Sequence, residues 1–306
     1  MIWKRDFGLL IRQVMAWMIM GLIYIVFFST IAWWLSATGI FGSSYLYLII
    51  GMAAVTALIQ YFLSDKLVLM STRARIVSGD EEPKLYAIVK KLSNEAALPM
   101  PRVAIMPSAI PNAFATGRSP KHAVVAVTQA IMGILTDEEL EAVLAHELAH
   151  IKNRDMLTMT IGSFLLSIAA MIINNSFIMA FLSNNHDNEN DGGSIIFMIA
   201  MFVVVIVYIM GTLVTMALSR YREFAADRGS AYITHNPDAL IHALKKISGR
   251  MDMLSSDKKR SVSANNAFFI IPAISGESVM ELISTHPTLE KRIANLEMVK
   301  HELQRY

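Results

Sequence analysis

Apolar and polar positions along this chain fall into long blocks rather than a fine alternation. A helix needs about 20 mostly apolar residues to cross the hydrocarbon core of a bilayer. Four segments meet that need: Val14–Ser36, Tyr45–Ser64, Leu157–Leu182 and Ser194–Leu218. No Lys, Arg, Asp or Glu lies inside any of them. They pair as two hairpins around the short loops Ala37–Ser44 and Ser183–Gly193. Asn174, Asn175 and Ser176 interrupt the third span, so either these groups bond to a neighbouring helix or the span ends early. The first segment is too long for a signal-peptide core and a second span follows it directly, so it is expected to remain in the protein.

Basic residues flank only one set of helix ends: Lys4, Arg5 and Arg12; Lys66, Arg73 and Arg75; Lys152 and Arg154; Arg220 and Arg222. The two hairpin loops carry none, and the second contains Asp187, Glu189 and Asp191. All 27 Lys and Arg therefore fall on one side, which the positive-inside rule makes cytoplasmic. The expected organisation is a tail and first hairpin (1–64), a cytoplasmic region (65–156), a second hairpin (157–218) and a second cytoplasmic region (219–306), with both termini inside.

Composition agrees with a bilayer environment. Hydrophobic residues make up 54% of the 306 positions and charged residues 17%, against about a quarter charged in soluble domains. A net charge of +2 is too small to suggest a nucleic-acid partner. With no cysteine, any transition-metal site must use imidazole and carboxylate.

The polar regions read as α+β, mainly helical with a small sheet. Glu82–Ala97 places Leu85, Ile88, Val89 and Leu92 at helical spacing. Arg102–Met106 and Ala123–Thr128 read as strands, and the proline-containing stretch Pro107–Lys121 between them as a loop. Thr136 and Glu139 have capping-box spacing ahead of Leu140, Val143, Leu144, Leu148 and Ile151, which announces a second helix. The polar run Asp252–Asn266 reads as a loop.

That second helix holds His146-Glu147-Leu148-Ala149-His150, an H-E-x-x-H pattern. Residues four apart stack on one helix face, so both imidazoles can reach a single ion, with Glu147 beside them as a general base. A catalytic zinc takes three protein ligands and keeps a fourth position open. Positions 153 and 156 are Asn and Met, so no histidine follows at metzincin spacing. Glu223, in Ser219–Asp227, is the best third candidate, with Asp227 one turn on to bond a ligand histidine. Pairing of Glu223 with Arg220 or Arg222 is an equal reading of that segment alone. Topology favours the metal. His150 lies seven residues before one span and Glu223 five after another, roughly 10 Å and roughly 7 Å at helical rise.

The chain resembles the HtpX family of membrane metalloendopeptidases, itself similar to the CAAX prenyl endopeptidases. The likeness rests on Asn112–Gly117, His146–His150 with Asp155, Ser219–Asp227 and His286–Ile293, together with the four spans. It implies that Glu223 is the third ligand, with one zinc per chain. It also implies a multi-pass cell-membrane protein that cleaves membrane or misfolded proteins in stress-linked quality control.

His286 is the candidate oxyanion donor, set against a plain capping role for the helix that starts near Leu289. Arg292 is placed to orient the site or Glu223, with a solvated helix-face arginine as the default. Asp155 is a candidate partner for a ligand histidine, or a structural residue. Asn112, Ala113 and Phe114 are candidates to line the cleft and pair with an extended substrate, against an ordinary turn. Two rivals differ in class: an intramembrane protease, disfavoured by Asp137, Glu138, Glu139 and Glu141 ahead of the motif, and a zinc-stabilised scaffold, disfavoured by Glu147.

Overall fold

The computed structural model describes residues 7–38, 68–183, 191–253 and 286–305, with separate positions between 51 and 66. The second apolar segment and the 252–266 run therefore lie largely outside the described residues. The elements begin with α1 (Phe7–Thr38), β1 (Arg75–Val77), α2 (Pro83–Glu95), β2 (Arg102–Met106), β3 (Ala113–Thr116) and β4 (Val124–Thr128). They continue with α3 (Gln129–Ile134), α4 (Asp137–Asn153), α5 (Asp155–Ser183), α6 (Asp191–Thr234), α7 (Pro237–Asp252) and α8 (Leu289–Leu303).

The chain forms two compact units, one built from the described parts of 11–61 and 159–215, the other chiefly from those of 62–158 and 216–306. In the first, Met20, Ile23, Phe27 and Ile31 recur at helical spacing on α1 and pack with Ile168 and Ala169 of α5 and Val204 and Val207 of α6. Small residues allow close approach: a Cβ on Gly211 would meet Leu166 Cδ2 at 2.9 Å. The outward faces are apolar, with Leu22, Ile25, Met198 and Phe202 exposed. Among the described residues, three helices are long and apolar enough to cross a membrane, over Leu10–Trp34, Asp155–Asn174 and Phe197–Thr234. Helix α5 continues without a break through Asn174–Ser176 to Ser183.

The second unit is organised by a mixed sheet of order β1-β2-β4-β3, with β2 and β4 parallel and both outer pairs antiparallel. Every residue of central β4 is buried, so both sheet faces are covered. Val125 and Val127 join Val103, Ile105, Ala113 and Ala115 on one face, in a core shared with α2, α4, α7 and α8. Ala104, Met106, Phe114, Val124 and Ala126 fill the other.

Two strands lie where local pattern gave none. β1 has only three residues and takes its form from pairing Arg75–Val77 with Val103–Ile105. β3 sits inside the stretch read as a loop, because its backbone pairs with β4 from Ala113–Val127 to Thr116–Val124. Such long-range pairing leaves no local signature. Gly117 ends β3 at φ +130, and a Cβ there would fall 2.4 Å from the His122 carbonyl oxygen. Only glycine fits this turn.

Helix α4 starts as its sequence specifies. Thr136 Oγ1 accepts from Glu139 N at 3.3 Å, and Glu139 Oε2 accepts from Thr136 N at 2.8 Å. From Ala142 to Ile151 every residue is buried. The helix stops at Arg154, whose left-handed φ of 57° turns the chain into α5.

Thr136→Ala should cost about 1 kcal/mol of stability through the lost cap, and Gly117→Ala about 1–3 kcal/mol through backbone strain. Denaturant unfolding in detergent measures both; an unchanged midpoint for either would contradict the local geometry described here.

Candidate metal centre

The face of α4 that carries the H-E-x-x-H pattern is buried. His146 is 1% exposed, Glu147 4% and His150 8%. Their spacing of one turn brings the two Nε2 atoms to 3.2 Å from each other. Glu223 of α6 reaches both, with Oε2 at 3.6 Å from His146 Nε2 and Oε1 at 3.5 Å from His150 Nε2. Helix α6 has 44 residues and continues unbroken past the apolar stretch, which puts Glu223 and Asp227 on successive turns.

Each imidazole is oriented by its other nitrogen. His150 Nδ1 lies 2.6 Å from Asp155 Oδ2, and His146 Nδ1 lies 3.0 Å from Asp227 Oδ1. Both Nδ1 atoms thus carry the donated proton, and both Nε2 lone pairs turn towards the same point. Two lone pairs facing each other at 3.2 Å beside a carboxylate repel unless a cation lies between them.

Arg292 of α8 is 1% exposed rather than solvated. It grips Asp227 through Nε to Oδ2 at 2.9 Å and Nη2 to Oδ1 at 2.5 Å, while its Nη1 lies 3.4 Å from Glu223 Oε2. His286 Nδ1 is also 3.4 Å from that oxygen. The helix cap proper belongs to Thr288, whose side chain accepts from Lys291 N, so His286 is placed for the site as well as preceding the cap. Arg222, read from sequence as a boundary charge, has its Nε 3.6 Å from Asp155 Oδ2.

Charge and geometry both fit a divalent ion. Four carboxylates (Glu147, Asp155, Glu223, Asp227) meet the guanidinium groups of Arg222 and Arg292, leaving two negative charges when all are ionised. A tetrahedral ion with metal–nitrogen distances of about 2.0–2.1 Å needs its donor atoms about 3.3 Å apart, close to the 3.2, 3.5 and 3.6 Å found. His146, His150 and Glu223 could therefore hold a metal.

The acid–base groups respond to the same surroundings. Burial pushes His146 down, but hydrogen bonds to Asp227 and Glu223 outweigh it and hold its pKa up at about 9. Without an ion, the site thus takes a proton as its positive charge. Burial raises Glu147 against the pull of His146 and His150. Arg292 stays charged, since Asp227 and Glu223 more than offset its burial.

Asn112, Ala113 and Phe114 lie on the edge strand rather than in a plain turn. Asn112 N donates to Thr128 Oγ1 at 2.9 Å, and Thr128 N to Asn112 O at 2.9 Å. The Phe114 side chain packs under the sheet with Met106 and Val124, on the face opposite that of Ala113 and Ala115. The Ala115 backbone N–H, next along β3, is directed to the Glu147 carboxylate.

Comparison with known proteins places this geometry in a wider group. The "Protease HtpX homolog 2" of Methanosarcina mazei is 46% identical over 301 residues, covering 98% of each chain. The "Protease HtpX homolog" of Moorella thermoacetica is 44% identical over 301 residues, covering 98% of this chain and 97% of that one. The crystal structure of S. mikatae Ste24p shares the fold, with a TM-score of 0.54 at 17% identity, covering 95% of this chain and 66% of that one. Residues 80–300 match Peptidase family M48. With that match and relatives of such identity over nearly its whole length, the chain belongs to peptidase family M48, as a membrane metalloprotease of the HtpX type.

Proposed function

We propose that this protein is a zinc-dependent endopeptidase, holding one zinc per chain on His146, His150 and Glu223. The observation that carries the reading is the convergence of both Nε2 atoms and the Glu223 carboxylate beside Glu147. Absence of cysteine leaves borderline imidazole and hard carboxylate donors, which suit zinc. A zinc ion bound there supplies Lewis acidity, polarising a peptide carbonyl and lowering the pKa of water.

The chain's own groups do the rest. Glu147 accepts a proton at its carboxylate from the attacking water and returns it to the leaving amine; its raised pKa brings it nearer the working range of a general base. His286 donates to the carbonyl oxygen as negative charge develops there. Asp155 and Asp227 fix the tautomers of His150 and His146, and Arg292 keeps Asp227 ionised. The substrate adds as a strand along the edge of β3, beside Asn112, Ala113 and Phe114, using backbone groups that β4 leaves unpaired; the Asn112 backbone stays bonded to Thr128 and the Phe114 side chain stays in the core. Backbone pairing reads side chains weakly, which suits misfolded or membrane-protein substrates and a role in stress-linked quality control.

The remaining parts of the reading concern the membrane. The chain crosses the cell membrane four times, the second span lying within 45–64, and both termini and the active site face the cytoplasm. The basic residues at one set of helix ends support this orientation.

Chelation should abolish cleavage of casein, and zinc should restore it. Glu147→Gln should keep zinc yet lose about 100- to 10,000-fold in kcat; near-normal turnover by that variant would overturn the assignment. Metal analysis of Glu223→Ala should show weakened zinc retention. Because the chain has no cysteine, single replacements report topology. Asp187→Cys should react with an impermeant maleimide on intact cells, and His301→Cys only after permeabilisation; the reverse pattern would invert the orientation.

A further inference from the structure

The two ligand imidazoles are supported differently, and the difference singles out Arg222. His146 is backed by Asp227, which Arg292 holds through two hydrogen bonds at 2.9 and 2.5 Å. His150 is backed by Asp155, 2% exposed, whose Oδ2 accepts its Nδ1–H at 2.6 Å. A buried carboxylate with a single neutral donor is costly unless a positive charge lies nearby. The charge beside Asp155 is Arg222: its Nε faces the same Oδ2 at 3.6 Å.

Arg222 is well placed for that task. Its side chain is 11% exposed, and its Nε and Nη1 are buried without a hydrogen bond among the described residues. Successive residues on a helix point about 100° apart, so Glu223 turns to the imidazoles while Arg222 turns to Asp155. Asp155 itself is brought under His150 by the left-handed turn at Arg154, one residue earlier. An arginine of this kind has no other carboxylate within ion-pair distance among the described residues.

We infer that Arg222 is a positioning residue for the metal centre: its guanidinium, facing Asp155 Oδ2, holds that carboxylate in place, so that His150 keeps its Nδ1–H there and presents Nε2 to the ion. The site then rests on two arginine–aspartate–histidine chains, one per imidazole, entering from different helices. The inference rests on the reading of His146, His150 and Glu223 as metal ligands.

Full-length protein in detergent, stripped of metal and titrated with zinc against a chromophoric chelator, tests it without using activity. Wild type should bind one zinc and His150→Ala should lose it. Arg222→Gln should bind zinc about 10- to 100-fold more weakly, the scale of effect for groups that orient a ligand, and Asp155→Asn should do likewise. The double variant should be no weaker than the worse single, since both act through one carboxylate, and Arg222→Lys should recover part of the loss. The unfolding midpoint of metal-free Arg222→Gln should stay near that of metal-free wild type, which a purely structural arginine would not allow. Wild-type zinc affinity in Arg222→Gln, beside a defective His150→Ala, would overturn the inference while leaving the metal site intact; so would losses that multiply in the double variant. No zinc binding by wild type would remove the metal-site reading and this inference with it. Should Arg222→Gln fail to fold, Asp155→Asn and the double variant, which leave no buried carboxylate facing that position, carry the comparison: equal affinities support the inference and a further loss in the double overturns it.

Discussion

Concentrated negative charge around two imidazoles, inside protein, is the constraint on which the rest of this structure depends. Each Nδ1 is committed to an aspartate, each Nε2 is turned to the other at 3.2 Å, and a glutamate closes the third side. Such an arrangement is unfavourable by itself, because buried carboxylates are desolvated and the facing lone pairs repel. Cations make it tolerable. Arg292 supplies one within hydrogen-bonding distance of Asp227, and His146, His150 and Glu223 are grouped so that they could hold a metal ion that would supply more. The same carboxylates hold the His146 pKa up at about 9 against its burial.

The architecture around the site keeps these groups from relaxing apart. Helix α4 is enclosed between the sheet and the other helices of its unit, and its Leu144 and Leu148 are fully buried. Truncating either leucine to alanine would cost about 2–5 kcal/mol, enough to loosen the face that carries both histidines. Ser230 Oγ donates to the Ala142 carbonyl at 2.6 Å, pinning α6 against α4 one turn from Asp227. Helix α6 supplies Val204 and Val207 to the apolar unit and Glu223 and Asp227 to the other. At 44 residues it extends about 66 Å, roughly twice the hydrocarbon thickness of a bilayer, so the length left after an apolar span is enough to carry Glu223 and Asp227.

Where local pattern carried the information, the fold was legible in the chain. Helix α4 was announced by Thr136 and Glu139 and begins there. α2 shows Leu85, Val89 and Leu92 on its buried face, and β2 covers Arg102–Met106 as its composition indicated. Strands β1 and β3 were not legible. Arg75–Val77 is too short to show a period, and Ala113–Thr116 follows a proline-rich stretch, so both owe their form to partners far along the sequence. For Phe114 the consequence is direct: strand geometry sends its side chain under the sheet, beside Met106 and Val124.

The sequence by itself determined the chemistry available: an H-E-x-x-H on a capped helix, no thiols, apolar spans flanked by basic residues, and acids one helical turn apart after the last span. These follow from spacing and composition, because helical period and bilayer thickness are local physical rules. Tertiary structure alone decided which acid meets which imidazole. Glu223 and Arg222 are neighbours on α6, yet one turns to the two imidazole Nε2 atoms and the other to Asp155. Arg292 looks like an ordinary helix-face arginine in sequence and is among the most deeply buried side chains in the protein. Spacing along a chain cannot express such choices, because a charge is assigned to a site by which other charges the fold buries beside it.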